Sequence, residues 1–272
     1  QTGFQTMPAA FYNLHVLTAL LLIYLFFGGI GFLGYQLNRR YFRKSNNLTL
    51  ITTAQQTSLT FGTLFIAFWI ALNWQTLDNL NVDSKNEAQA ILSISSSANL
   101  IDSTAQQQTV KLAINDYLDS VIHQEYHSLE QGEVNQATDQ KLTHLIQEVN
   151  LLPTKTLEQK IVYNKMLESL NGLVAFRLKR LDYAAGQING VLLIFFVMLL
   201  MLICFWSACV NNNLKKLTIL VIISQNLIIL SSAWLILEID RPFQGYFKVG
   251  NQAFVNIQKN IIVMENLRKN AK

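Results

Sequence analysis

Two histidines one helical turn apart are the residues whose spacing in this chain most resembles a metal site. His123 and His127 stand in the sequence His-Gln-Glu-Tyr-His, and imidazoles at positions i and i+4 share one face of a helix, as in some zinc sites. The motif lacks the glutamate position of a metalloprotease helix, and Glu125 points away from the shared face. A solvated helix surface is the simpler interpretation, so we predict no metal ligands.

Gly29, Gly31 and Gly34 match the dinucleotide-binding fingerprint as a string of letters. They follow an apolar run rather than a strand, so the βαβ context that would hold a pyrophosphate is missing. Glycines 28 to 34 are better explained as a packing face of a membrane helix. The sequence shows no Ser/His/Asp set, phosphate loop or thiolate cluster, which predicts a protein that is not an enzyme, with no catalytic residues and no cofactor.

The elements that must position any functional residue are long apolar helices. Of the 272 residues, 51% are hydrophobic and 14% are charged. The apolar residues are concentrated in four runs at 16–35, 57–74, 190–210 and 217–237, each about as long as a bilayer-spanning helix. We therefore predict an all-α integral membrane protein with four transmembrane helices.

Four segments are predicted along the chain. Residues 1–78 form a first transmembrane pair with a short basic loop, and residues 79–186 form an extramembrane helical domain. Residues 187–238 form a second pair, and residues 239–272 hold an Asp-Arg-Pro-Phe turn and an amphipathic helix. Within the extramembrane domain, Leu112, Ile114 and Leu118 recur at helical spacing, and breaks are expected at 132–138 and 150–156.

A row of large apolar side chains follows the second run. Phe61, Phe65, Phe68 and Leu72 fall at i, i+4, i+7 and i+11, and Thr60, Thr63, Ala67 and Ala71 form a neighbouring row of small residues. Aromatic side chains from several subunits can form a constriction that gates by excluding water. The alternative is that the phenylalanines meet lipid or neighbouring helices, and both interpretations stay open.

Charged residues are concentrated at the ends of the apolar runs. The acidic residues there are Asp78, Asp83, Glu87, Glu238 and Asp240. They could collect cations at a vestibule or cap helices through the helix dipole. Arg241 and the basic residues at 177–180 could instead attract anions through the same entrance.

The basic residues of the short loops predict an orientation. Arg39, Arg40, Arg43 and Lys44 lie in one loop and Lys215 and Lys216 in the other, which places both loops in the cytoplasm. The helical domain and the termini then lie on the outer side, in a multi-pass protein of the bacterial inner membrane. The net charge of +4 comes with no nucleic-acid-binding motif, so no nucleic-acid partner is predicted.

Three motifs resemble one known family. They are Glu87-Ala-Gln-Ala90-Ile91, Asp116-Tyr117 and Asp240-Arg241-Pro242-Phe243-Gln244-Gly245. Together they resemble the bestrophin-like domain-of-unknown-function family, over nearly the whole chain in layout. The last motif is similar to the Asp-Pro-Phe-Gly turn of bestrophins, which are pentameric ion channels with one central pore lined by the second span.

The resemblance implies an oligomeric, pentameric ion channel whose second transmembrane helix lines the pore. Its partners would be other copies of the chain, membrane lipid and small inorganic ions. A structural or gating role near the membrane boundary is implied for Glu87, Asp240, Arg241, Pro242, Phe243 and Gly245. In animal bestrophins a run of acids that binds calcium follows this turn. Here Tyr-Phe-Lys-Val follows, so no calcium site is expected.

Two further points limit the resemblance. Bestrophins keep their helical insert and termini in the cytosol, which is opposite to the orientation that the basic loops predict. The large polar insert also favours an alternative function: a non-conducting membrane scaffold or sensor whose helical domain binds a protein partner.

Overall fold

The computed structural model describes residues 16–42, 48–184, 190–210, 216–240, 242–244 and 247–270, and it contains no strand within these ranges. The prediction of an all-α protein is therefore confirmed. The α-helices are α1 (Val16–Leu37), α2 (Leu48–Ala98), α3 (Thr104–Ser120), α4 (Tyr126–Glu130), α5 (Gln136–Asn150), α6 (Leu157–Ala184), α7 (Gly190–Cys209), α8 (Lys216–Ile239) and α9 (Gln252–Asn270). Two π-helical turns, Asn38–Phe42 and Val121–Glu125, follow α1 and α3.

The chain divides into two compact units. The membrane unit comprises residues 1–75 and 187–240, and the extramembrane unit comprises residues 76–186 and 241–272. Four helices are long and apolar enough to cross a membrane, with candidate spans at Leu21–Tyr41, Thr49–Ala98, Gly190–Cys209 and Ile222–Ile239. The predicted number of transmembrane helices is confirmed.

The membrane unit packs α1, α2 and α8 around α7. Phe27, Trp69, Phe196 and Ile203 are among the buried residues of its core. One glycine, Gly34, explains how closely α1 approaches α7. A Cβ atom on Gly34 would lie 2.7 Å from the backbone oxygen of Phe205, so only glycine fits there. The predicted glycine packing face is confirmed at Gly34, whereas a Cβ atom on Gly28 would meet nothing within 4 Å.

The extramembrane unit buries one side of each amphipathic helix. The backbone N–H of Gln106 donates to the Ser103 side chain before α3, and that of Thr138 donates to the Asn135 side chain before α5, which satisfies helix-end donors. Both predicted breaks are confirmed, because the structure leaves residues 131–135 and 151–156 outside the helices. The chain also breaks between α2 and α3 without a glycine or proline, a break that the sequence analysis did not predict. Of the three apolar residues at helical spacing in α3, Ile114 and Leu118 are buried, whereas Leu112 is 63% exposed.

A single helix of 51 residues, α2, contributes to both units. It contains no proline and one glycine, so no residue interrupts its backbone hydrogen bonds. The apolar run at 57–74 and the acidic residues that follow it therefore lie on one continuous helix. The side chains of its two parts have very different surroundings.

Candidate pore face and buried ion-pair cluster

The membrane part of α2 leaves a broad apolar surface uncovered by the rest of the chain. Phe61 is 52% exposed, Phe68 is 62% exposed and Leu72 is 45% exposed. On the opposite side of the helix, Ile66 and Trp69 are buried. We refer to the exposed surface defined by Phe61, Phe68 and Leu72 as the α2 face.

Phe65 belongs to the packed side of α2 rather than to the α2 face. Its ring lies 5.3 Å from the ring of Trp69 and 5.5 Å from that of Phe195, centroid to centroid, in edge-on geometry. A helical residue four positions after Phe61 is rotated by about 40° around the axis, and this rotation is toward the buried side. The predicted stripe of four residues is thus divided between two environments.

The small residues of α2 are also uncovered. Thr60, Thr63, Ala67 and Ala71 are all exposed. The Thr63 hydroxyl donates to the backbone oxygen of Leu59 at 2.8 Å, so its polar group is satisfied within the helix. Small side chains on an uncovered helix surface would let a second helix approach closely.

The three acidic residues predicted to form a vestibule have different surroundings. Asp78 is exposed. Asp83 is largely buried, and its carboxylate lies 3.6 Å from the Lys179 ammonium. Glu87 is fully buried. Of the three, Asp78 is therefore the residue that presents an exposed carboxylate in the described structure.

Glu87 is held by a cluster of buried charges. The Arg180 guanidinium donates to both Glu87 oxygens, at 2.7 and 2.9 Å, and to Glu125 Oε2 at 2.6 Å. The Tyr117 hydroxyl donates to Glu87 Oε1 at 3.1 Å. All four side chains are fully buried, so their charges and hydroxyl depend on one another for hydrogen bonds.

Arg177 extends this cluster to the surface. Its Nε donates to Glu125 Oε1 at 3.0 Å, Nη2 contacts the same oxygen, and Nη1 lies 2.6 Å from Asp139 Oδ1. The Asp139 side chain is 49% exposed, whereas that of Arg177 is 5% exposed. The sequence left open whether residues 177–180 attract anions, and in the structure the Arg177 and Arg180 guanidinium groups are both buried against carboxylates.

The cluster shifts the pKa values of its members. Burial raises the pKa of Glu125, but the charges of Arg180 and Arg177 outweigh it, and the pKa lies below its usual value. Burial lowers the pKa of Arg180, but Glu87 and Glu125 outweigh it and raise the pKa well above its usual value. Burial and the two carboxylates together raise the pKa of Tyr117. These shifts favour the ionised Glu125 carboxylate, the charged guanidinium groups of Arg177 and Arg180, and the neutral Tyr117 phenol.

Aromatic residues cover the open side of Arg180. Its guanidinium carbon lies 5.3 Å from the ring centre of Tyr126 and 5.4 Å from that of Phe254. Nη1 has no hydrogen-bond partner among the described residues, and the two rings provide cation–π contacts. Because Phe254 belongs to α9, the cluster connects the C-terminal helix to the extramembrane part of α2.

The Asp-Arg-Pro-Phe turn that begins at Asp240, which we call the boundary turn, contributes a further aromatic contact to Tyr126. Phe243 is buried, and its ring centre lies 5.9 Å from that of Tyr126. The backbone N–H of Val249 donates to the oxygen of Pro242 at 2.7 Å. Helix α8 ends at Ile239, and the Asp240 N–H donates to the oxygen of Ile236. Arg241 and Gly245, also predicted for this turn, lie outside the described residues.

The two histidines of the His-Gln-Glu-Tyr-His motif, His123 and His127, lie at the surface. The side chains of His123 and His127 are 66% and 71% exposed, beside Asp119 and Glu130 respectively. No group of three His, Cys, Asp or Glu side chains within the described ranges is placed to hold a metal ion. Glu125 points into the buried cluster, away from both imidazoles.

Four helices long and apolar enough to cross a membrane, combined with a second helical unit, define the class: an all-α membrane protein. The chain belongs to the bestrophin-like family, whose Bestrophin-like domain matches residues 9–254. No curated protein shows a significant sequence match.

Solved structures support the same fold. A bacterial bestrophin homologue from Klebsiella pneumoniae, solved by zinc phasing, has a TM-score of 0.67 at 15% identity, covering 92% of this chain and 98% of the other. A variant of a bacterial bestrophin homologue from Klebsiella pneumoniae has a TM-score of 0.68 at 13% identity, covering 89% of this chain and 99% of the other. A variant of a membrane protein has a TM-score of 0.67 at 14% identity, covering 95% of this chain and 99% of the other. At these identities the likeness concerns the fold alone.

Proposed function

We propose that this protein is an oligomeric, pentameric ion channel in which α2 lines a central pore. The observation that carries the proposal is the α2 face. A membrane helix that packs on its own chain with one side presents three large apolar side chains on the other. In a ring of copies, the same surface from each copy would enclose one axis.

The chemistry of the α2 face fits a hydrophobic constriction. Phe61, Phe68 and Leu72 have no polar group, and rings of such side chains exclude water when a pore narrows. Thr60 and Ala67 on the neighbouring surface are small enough to allow close contact between adjacent copies. The aromatic contacts of Phe65 with Trp69 and Phe195 keep its ring on the packed side of the helix, away from the α2 face.

Small inorganic ions are the substrate class of this proposal. Asp78 follows Ala71 by seven residues, which places it on the same side of α2. The charges of Asp83 and Glu87 are engaged by Lys179 and Arg180, so attraction of cations would depend on Asp78. The boundary turn, through Pro242 and Phe243, would fix the C-terminal segment within the extramembrane unit.

The proposal is tested with purified protein in planar bilayers. Phe68→Ala is expected to widen the constriction and raise single-channel conductance, and Asp78→Asn is expected to reduce cation preference. Phe65→Ala is the matched control, because it removes a ring of the same size from the packed side. Absence of current from the wild-type protein across ions and voltages would end the proposal.

A second candidate function is a non-conducting scaffold or sensor. It is favoured by exposed apolar side chains near the loop between α5 and α6, where Leu151 is 71% exposed, Leu157 74% and Ile161 59%. Such a group can bind a protein partner. A stoichiometric partner that is lost in Leu157→Glu, together with electrical silence, would favour this function over a channel.

We also propose placement in the bacterial inner membrane with both short basic loops in the cytoplasm, supported by the basic residues such as Arg39 and Arg40. The extramembrane unit would then lie outside. Labelling of a cysteine introduced at exposed Lys155 in intact cells tests this orientation. Labelling only after the cells are permeabilised would reverse it.

A further inference from the structure

An apolar cavity of about 260 Å³ lies among α1, α7 and α8 inside the membrane unit. Its buried lining includes Phe27, Phe196, Leu200 and Ala233. Leu22 and Phe26 also line it and are 48% and 55% exposed, so they mark its open side. Every described residue around the cavity is Leu, Ile, Val, Phe or Ala.

We propose that this cavity binds one acyl chain of a membrane phospholipid. Apolar cavities of roughly 150 Å³ in proteins stay dry and take up apolar molecules, because water finds no hydrogen-bond partner in them. This cavity is larger and opens along helices that cross the bilayer, where the surrounding medium is hydrocarbon. A lipid tail is therefore the apolar molecule at highest concentration beside its open side.

The location of the cavity favours lipid over a second copy of the chain. The described residues that line it come from α1, α7 and α8, and none of them belongs to the α2 face. Beside its mouth, Leu21 and Leu25 are 59% and 66% exposed. Contacts between membrane helices favour small or polar side chains, whereas bulky apolar side chains suit contact with lipid.

The test uses full-length protein in phosphatidylcholine vesicles that contain phosphatidylcholine with a photoreactive diazirine in one acyl chain. After illumination, mass spectrometry of peptides locates and quantifies the attached lipid. The variant is Leu22→Trp, whose larger side chain would fill the mouth from an exposed position without disturbing the core. The matched control is Leu21→Trp, an equally exposed neighbour that does not line the cavity.

We expect wild-type labelling at α1, α7 and α8 residues around the cavity. Labelling there should be largely lost in Leu22→Trp, because the indole ring would occupy the mouth through which the acyl chain enters, and it should persist in Leu21→Trp. Equal labelling in both variants would overturn the proposal, as would a structure of the oligomer with a side chain of another copy in the cavity. The test requires membrane insertion only, so its outcome is independent of whether the protein conducts ions.

Discussion

The two parts of α2, although they form one continuous helix, differ in which side chains they expose and which they bury. In the membrane unit, Phe61 and Phe68 are uncovered while Trp69 is packed. In the extramembrane unit, Leu80 and Ile91 are buried and so is the charged Glu87. At the proposed pore, apolar side chains such as Phe61 and Phe68 would narrow the passage and exclude water, whereas in the extramembrane unit the apolar side chains are buried away from water. A buried carboxylate is tolerated only with partners of opposite charge or hydrogen-bond donors. The stability of the extramembrane part should therefore be most sensitive to loss of a residue from the ion-pair cluster.

Removing the central cation of the cluster is expected to have the largest effect. Arg180→Met leaves Glu87 and Glu125 buried without their shared partner and should lower the free energy of unfolding by about 3–5 kcal/mol. Thermal and denaturant unfolding in detergent measure it. The control is Lys179→Met, whose side chain is 57% exposed and whose loss should cost about 0–1 kcal/mol. Equal losses in the two variants would show that the cluster is not the stabilising element.

Acidification should remove part of this stabilisation. Because the pKa of Glu125 is lowered in the folded protein, its contribution is complete above the unfolded value of about 4.3 and is lost as the pH falls through the folded value. Arg177, Arg180 and Tyr117 are the other ionisable groups that act on it.

The comparison of wild type with Glu125→Gln isolates this contribution. The difference in unfolding free energy should be about 3 kcal/mol at neutral pH and should narrow progressively below about pH 4. Unfolding curves of both proteins across this range provide the measurement. A difference that grows on acidification would contradict the sign of the pKa shift.

The membrane unit should be sensitive to size rather than charge. Gly34→Ala brings a Cβ atom to 2.7 Å from the Phe205 backbone oxygen and should destabilise the packing of α1 on α7 by about 1–3 kcal/mol. Gly28→Ala meets nothing within 4 Å and should be neutral or slightly stabilising, since alanine favours a helix. Unfolding midpoints in detergent compare the pair. A loss at Gly28 equal to that at Gly34 would contradict the assigned packing face.

The features that the sequence predicted are those that local patterns determine. Apolar length specified the four membrane helices, and the breaks around Gly132 and Pro153 followed from residues that disfavour helix. The break between α2 and α3 was missed because residues 99–103 contain no glycine or proline. The different environment of Phe65 was also missed, because a stripe of four apolar residues does not say which of its edges meets the neighbouring helix.

Local sequence patterns could not predict the buried ion-pair cluster, because it joins residues that are far apart in the chain. Arg180 is 93 positions from Glu87 and 55 from Glu125. One signal in the sequence could have identified it. The apolar positions Met166, Leu170 and Leu173 of α6 are continued at the same helical spacing by Arg177 and Arg180, which places two arginines on the buried side. Charges on a buried helix face require partners of opposite sign.

Water would reach the α2 face only if α2 lines a pore, so the accessibility of this face to a water-soluble reagent is the decisive measurement. Single cysteines would replace Phe61, Phe68 or Leu72, with Phe65 and Ile66 as controls, in a background where Cys204 and Cys209 are alanine. A charged thiol reagent that cannot cross the membrane would be applied to protein in bilayers during current recording. The account predicts modification and block at 61, 68 and 72, with positions 65 and 66 spared. Failure of the reagent to reach Phe68→Cys would show that the α2 face meets lipid, and the pore assignment would be contradicted.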